Sequence, residues 1–253
     1  MNGTAIALIS AGCIFGGTLL GLALRKMLPG HHLNDESKDA IKIGAGMISM
    51  MAALVLGLLV SSAKSNFDAT NTAIIQGGAR VILLDRLLAN YGPETKEVRA
   101  TLRMAVVALI GVLWPEEPVT KADFSAFERA TTAEKLVEKI RDLKPQNEAQ
   151  RALQGQALQL GQEMMLSRWI QIEQAQTSLP SAFLVIVLFW LTMLYMTFGL
   201  LAPRNPTVVT VMFIGALSLA TAMFLIVEMN RPMGGAIKVS SGPMHKALEH
   251  LGR

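Results

Sequence analysis

Apolar residues are gathered into four long stretches, two near each end of the chain, with a polar segment between the pairs. The stretches cover residues 4–24, 41–62, 181–202 and 207–227. Each is close to the roughly 20 residues that an α-helix needs to cross a hydrocarbon layer about 30 Å thick. Lys42, near the start of the second stretch, is the one charged residue inside them. The pattern predicts four transmembrane helices.

The polar segment between the pairs, residues 64–179, carries mixed charge and apolar residues at helical spacing. Val81, Leu84 and Leu88 form such a stripe. Capping side chains at 65–68 predict a helix that begins there, continues the direction of the second span and ends at Asn90 before Tyr91-Gly92-Pro93. Further helices are predicted at about 94–114, 124–143 and 146–177. No part alternates with period two, so the whole segment is predicted to be helical.

The predicted fold class is therefore an all-α membrane protein with a helical extramembrane domain between the second and third spans. The boundaries expected are 1–63 for the first helix pair, 64–179 for the domain, 180–228 for the second pair and 229–253 for a polar tail. Basic residues flank the spans on both sides, with Arg25 and Lys26 opposed by Lys64 and Arg231. The positive-inside bias therefore leaves the orientation open.

Composition removes several other classes of protein. The formal charge is only +4 and no dense Lys/Arg run occurs, so nucleic acid is not expected as a partner. Cys13 is the single cysteine and cannot close an intrachain disulfide. The first apolar stretch has no basic residue before it, unlike a signal peptide, and is expected to remain as a span.

Candidate chemistry is sparse. The sequence has no nucleophile elbow, phosphate loop or dinucleotide fingerprint, so neither an enzyme nor a cofactor is predicted. His31, His32, Asp35 and Glu36 lie together in a connector without the rigid spacing of a metal site, and no metal is predicted.

Polar residues follow the last apolar stretch directly, at Glu228, Asn230 and Arg231, before Pro232. Ionisable groups at the end of a span are costly unless they pair or meet water, so this cluster is either functional or an interfacial anchor. Glu228 and Arg231 are three residues apart and can share a helix face. We expect Arg231 to be desolvated in a tight turn.

Glycines at four-residue spacing occur twice in the first apolar stretch, at Gly12 with Gly16 and at Gly17 with Gly21. This spacing permits close approach of two helices in lipid, although glycine is also frequent in membrane helices without such a role.

Several short motifs occur along the chain: the basic-Leu-Pro-His run at 25–32, the apolar run at 53–59 followed by Ser-Asn-Phe-Asp at 65–68, Leu-Trp-Pro at 113–115, and Asn-Arg-Pro at 230–232 with Val-Ser-Ser at 239–241. In this order and with these spans, they give a resemblance to the bestrophin-like integral membrane proteins of bacteria and plants over nearly the whole chain. The family often has an aspartate before its Arg-Pro pair, where this chain has Asn230.

The resemblance implies a pore lined by the second span, because bestrophins are pentameric anion channels of this layout with a hydrophobic neck. The face of residues 41–62 that would line it comprises Met47, Met50, Met51, Leu54, Leu58 and Ser61. Spacing alone does not select this face, since the helix is apolar all round. The aromatic neck and acidic calcium clasp of bestrophins have no counterpart here.

We therefore expect a multi-pass protein of the bacterial inner membrane that forms a homo-oligomer, a pentamer by analogy, and acts as an ion channel. The expected partners are the lipid bilayer, other copies of the chain and inorganic anions. The alternative is a non-conducting membrane scaffold or an energy-coupling subunit laid out like a flagellar stator, which also has a large domain between its second and third spans.

Overall fold

The structure, a computed structural model, describes residues 3–29, 34–115, 126–176, 181–203 and 205–252, with side chains described outside 126–133, 168–176 and 181. All regular structure in these residues is helical, which confirms the all-helical prediction for them. The helices are α1 (Gly3–Met27), α2 (Asp35–Tyr91), α3 (Lys96–Leu113), α4 (Ala126–Arg141), α5 (Glu148–Gln176), α6 (Ser181–Leu201), α7 (Pro206–Met229) and α8 (Gly242–His250).

Helix α2 is a single element of 57 residues. The predicted helix start at 65–68 is therefore wrong, because the chain is already helical there and stays so. No proline interrupts α2, and Ser, Asn or Asp inside a helix lower its stability only slightly when apolar neighbours on both sides favour it. The helix ends one residue later than predicted, at Tyr91, and Gly92 follows with a φ of 138° that glycine tolerates best.

Local signals also fix the start of α2 and the ends of other helices. Asn34 accepts a hydrogen bond from the backbone N–H of Ser37 (2.8 Å) at the start of α2, and Asn205 accepts one from Val208 (2.8 Å) at the start of α7. Helix α3 ends at Leu113, so that Trp114 and Pro115 terminate it as the sequence predicts.

The apolar helices α1, α6 and α7 and the first part of α2 belong to one compact unit, formed by Met1–Phe67 and Leu179–Lys238. Among the described residues, four helices, namely α1, α2, α6 and α7, are long and apolar enough to cross a membrane. Their shared core includes Ile14, Val187 and Met223, each of which is buried.

Within this unit, α1 and α6 approach each other through glycines. A Cβ atom placed on Gly17 would lie 2.5 Å from the carbonyl oxygen of Thr192, and one on Gly21 would lie 2.7 Å from the backbone nitrogen of Leu200. Gly12 and Gly16 have open space at the same position. Among the described residues, only the second of the two glycine pairs therefore makes close backbone contacts inside the subunit.

The second unit comprises Asp68–Ser178 and Val239–Arg253. Its core contains large buried side chains from α2, α3 and α4, namely Leu84, Leu88, Leu102, Ile110 and Ile140. The indole nitrogen of Trp114 donates a hydrogen bond to the carbonyl of Val239 (2.9 Å), which ties the segment that leads into α8 to the end of α3.

Candidate pore face and polar cluster

One side of α2 packs into the core of the apolar unit. Ala45, Ala52, Leu59 and Ala63 are buried there. The first three are seven residues apart, and the fourth follows at a spacing of four, so all four share one helix face. Three of them are alanines, whose small side chains bring α2 close to its neighbours.

The opposite side of α2 carries the predicted pore residues. At 3.6 residues per turn they lie about half a turn around the helix from Ala45, Ala52 and Leu59. The apolar members are between 49% and 77% exposed, and Ser61 is exposed as well. The members are Met47, Met50, Met51, Leu54, Leu58 and Ser61. The structure thus distinguishes two faces of α2, although its apolar sequence does not separate them.

The exposed face is uncharged along its whole length, since no ionisable residue occurs between Ile43 and Ser62. Methionine and leucine side chains on such a face cannot bind an ion by charge. A ring of them around an aqueous path would form a hydrophobic constriction, which controls passage through its width and its wetting.

Glu228, in the polar cluster at the end of α7, is only 5% exposed. Its Oε2 accepts a hydrogen bond from the backbone N–H of Ala236 (2.5 Å). A Cβ atom on Gly3 or on Gly235 would overlap the carboxyl group. The carboxylate therefore occupies a cradle that two glycines leave open.

A tight turn follows, as predicted. The N–H of Arg231 donates to the carbonyl of Glu228 (3.0 Å), and the N–H of Gly234 donates to that of Arg231 (3.1 Å). Asn230 also reaches α2, because its side-chain oxygen accepts a hydrogen bond from Asn66 (3.3 Å).

Within the subunit, however, the desolvated member of the cluster is Glu228 and not Arg231, whose side chain is exposed. The expectation that Arg231 is desolvated is therefore wrong for the single subunit. Removing a guanidinium from water is costly, and the turn leaves this one at the surface. The shorter carboxylate fits inside the turn, where a backbone N–H can solvate it.

A buried ion pair in the second unit was not predicted. Both oxygens of Asp85 accept hydrogen bonds from Arg99, from Nε and from Nη2, each at 2.8 Å, and the side chain of Asp85 is 2% exposed. Hydrogen bonding to Asp85 raises the pKa of Arg99 above its usual value. The available signal was the position of Asp85 beside Leu84 and Leu88, on the apolar stripe of α2.

The connector residues at which no metal site is predicted are only partly described by the structure. Asp35 and Glu36 lie in the first turn of α2, where acidic side chains stabilise a helix through their interaction with its dipole. His31 and His32 lie outside the described residues.

Comparison with known proteins gives a family and a fold. The family model of the Bestrophin-like domain matches residues 12–244. Among proteins with curated descriptions, none matches this sequence.

Solved structures resemble the whole chain at low sequence identity. A point variant of the bacterial bestrophin homologue from Klebsiella pneumoniae is 16% identical, with a TM-score of 0.66 over 94% of this chain and 97% of that one. A point variant of another membrane protein is 14% identical, with a TM-score of 0.71 over 96% of each chain. At these identities the likeness establishes the fold.

Proposed function

The chain belongs to the Bestrophin-like family, and from this premise we propose that it forms a homo-oligomeric ion channel in the bacterial inner membrane, with inorganic anions as the ions conducted. The observation that carries the proposal is the uncharged, exposed face of α2 from Met47 to Ser61. Helices α1, α2, α6 and α7 are the four spans, and residues 64–179 form the extramembrane domain.

The subunit interior favours a path between subunits. Ile14 and Val187 are completely buried in the apolar unit, and the buried cluster to which they belong consists of apolar side chains. An ion crossing there would lose its water without gaining ligands. Copies arranged around an axis can instead enclose a path between their α2 helices, as closed rotational symmetry permits. By analogy with bestrophins, five copies are proposed.

Anions suit an apolar constriction better than small cations do. A path lined by Met50, Leu54 and Leu58 offers no carbonyl or carboxylate oxygen to replace the hydration shell of a cation. Selection in such a path follows the ease with which an ion sheds water, and large, weakly hydrated anions do so most readily.

The test combines mass with ion flux. The purified full-length protein in mild detergent is expected to have the mass of several subunits, and its liposomes should release chloride or iodide. Leu54→Ser should change the flux, because Leu54 is on the proposed pore face. Val185→Ser on α6 is the matched control, since Val185 is 65% exposed and Leu54 67%. It should leave the flux unchanged.

Two results would contradict the proposal. A monodisperse monomer would exclude a path between subunits. An intact oligomer without ion flux under any tested voltage or pH would favour the non-conducting scaffold or stator-like subunit.

A further inference from the structure

An open groove lies on the surface of the apolar unit, between the end of α1 and the start of α7. Its volume is about 610 Å³, within the range of about 300–1,000 Å³ typical of small-molecule sites. Leu22, Ala23 and Val209 line its apolar part, and Lys26 and Asn205 line it at the ends of the helices. The groove thus combines an apolar wall with a polar end.

The polar end favours an anion. Lys26 is exposed and cationic, and the side-chain oxygen of Asn205 is already used to cap α7 at Val208, which leaves the NH₂ donor group for a ligand. None of the described residues that line the groove is acidic. The neighbouring Arg25 serves a different purpose, because it donates to the carbonyl of Ala202 at the end of α6.

We infer that this groove binds an anionic phospholipid, with its phosphate at Lys26 and Asn205 and an acyl chain along Leu22, Ala23 and Val209. Helix α1 ends here and α7 begins here, where in the proposed placement the hydrocarbon layer gives way to headgroups, so the apolar and basic parts match the two parts of a lipid. A second copy of the chain is a poorer occupant, because it would have to cover Lys26 with an acidic group. The inference uses the membrane placement proposed above but not ion conduction.

The test measures lipid retained by the full-length protein. The protein in detergent is titrated with phosphatidylglycerol or with phosphatidylcholine, and bound lipids per subunit are counted by native mass spectrometry. Phosphatidylglycerol should bind about five-fold more tightly, as expected for one basic residue near an anionic headgroup. Lys26→Gln should remove this preference. Lys42→Gln, an equal charge change outside the groove, should keep it.

A second pair of variants tests the apolar wall. Ala23→Phe narrows the groove and should reduce binding of both lipids, whereas Leu20→Phe, at an exposed position of α1 outside the groove, should not. The inference is overturned if Lys26→Gln and Lys42→Gln retain phosphatidylglycerol equally. It is also overturned if Ala23→Phe changes the mass of the oligomer while lipid retention stays the same, since a second copy would then occupy the groove. Loss of ion flux with lipid retention intact would affect only the channel proposal.

Discussion

Among the residues whose side chains the structure describes, two carboxylates are almost completely buried, Asp85 at 1% exposure and Glu228 at 5%, and they are stabilised in different ways. Asp85 is matched by the guanidinium of Arg99 and by the backbone N–H of Gly252 (3.3 Å). Glu228 is enclosed by backbone, with the N–H of Ala236 as a donor and glycines beside it. The ion pair of Asp85 and the space around Glu228 can therefore be tested by separate substitutions.

We predict that Asp85→Asn lowers the free energy of unfolding by about 3 kcal/mol, because it removes the negative charge that pairs with the largely buried guanidinium of Arg99. Arg99 is 20% exposed, which places the loss at the low end of the range for buried pairs. Glu148→Gln breaks the exposed pair with Arg151 and should cost about 0–1 kcal/mol. Equal losses for the two variants, measured by denaturation in detergent, would contradict the buried role of Asp85.

Adjacent glycines offer a sharp test of the cradle around Glu228. Gly235→Ala places a methyl group against the carboxylate, which cannot move without losing its hydrogen bond to Ala236, and should destabilise the fold by about 1–3 kcal/mol. Gly234→Ala meets open space and should change stability by less than about 0.5 kcal/mol. Unfolding of both variants under one condition provides the comparison, and similar midpoints would argue against the cradle.

Residue-level features were the least predictable from sequence. The cluster Glu228, Asn230 and Arg231 was recognised because charge at the end of an apolar run is costly. Which member is buried depends on how the turn folds back, and this depends on contacts with Gly3 and Ala236 that no local pattern reveals. The pairing of Asp85 with Arg99 joins two helices and leaves no periodic signal.

At the scale of elements, helix α1 carries two glycine pairs with identical spacing and different surroundings. Gly21→Ala should weaken the subunit by more than about 1 kcal/mol, because a methyl group there would collide with the backbone of α6. Gly16→Ala should be close to neutral within the subunit. Thermal unfolding in detergent checks both; a larger loss for Gly16 would mean that the first pair packs against another copy.

Elements themselves were largely predictable, and the exception is instructive. The apolar stretches and the ends of helices at Tyr91 and Leu113 follow from hydrophobicity, glycine and proline. The false helix start at 65–68 came from side chains that can cap a helix but do not force one to begin. The pore face of α2 stayed undetermined because an apolar helix has no amphipathic period, and only its packing through Ala45, Ala52 and Leu59 distinguishes one side.

At the scale of the whole molecule, we propose that copies of the chain enclose an aqueous path between their α2 helices. Lipid could also cover the exposed side of α2, since hydrocarbon tolerates methionine and leucine. Burial within one subunit is the same whether water or lipid covers these side chains. A chemical probe that reacts only in water distinguishes the two.

The most direct measurement is the reactivity of single cysteines with a water-soluble thiol reagent in liposomes, in a Cys13→Ser background because the native cysteine is exposed. Leu54→Cys should react and its modification should alter ion flux. Ala52→Cys, buried in the bundle, and Val185→Cys, exposed on α6, should remain unmodified. If Leu54→Cys reacts no faster than Val185→Cys, this face of α2 is covered by lipid or protein and does not line a pore.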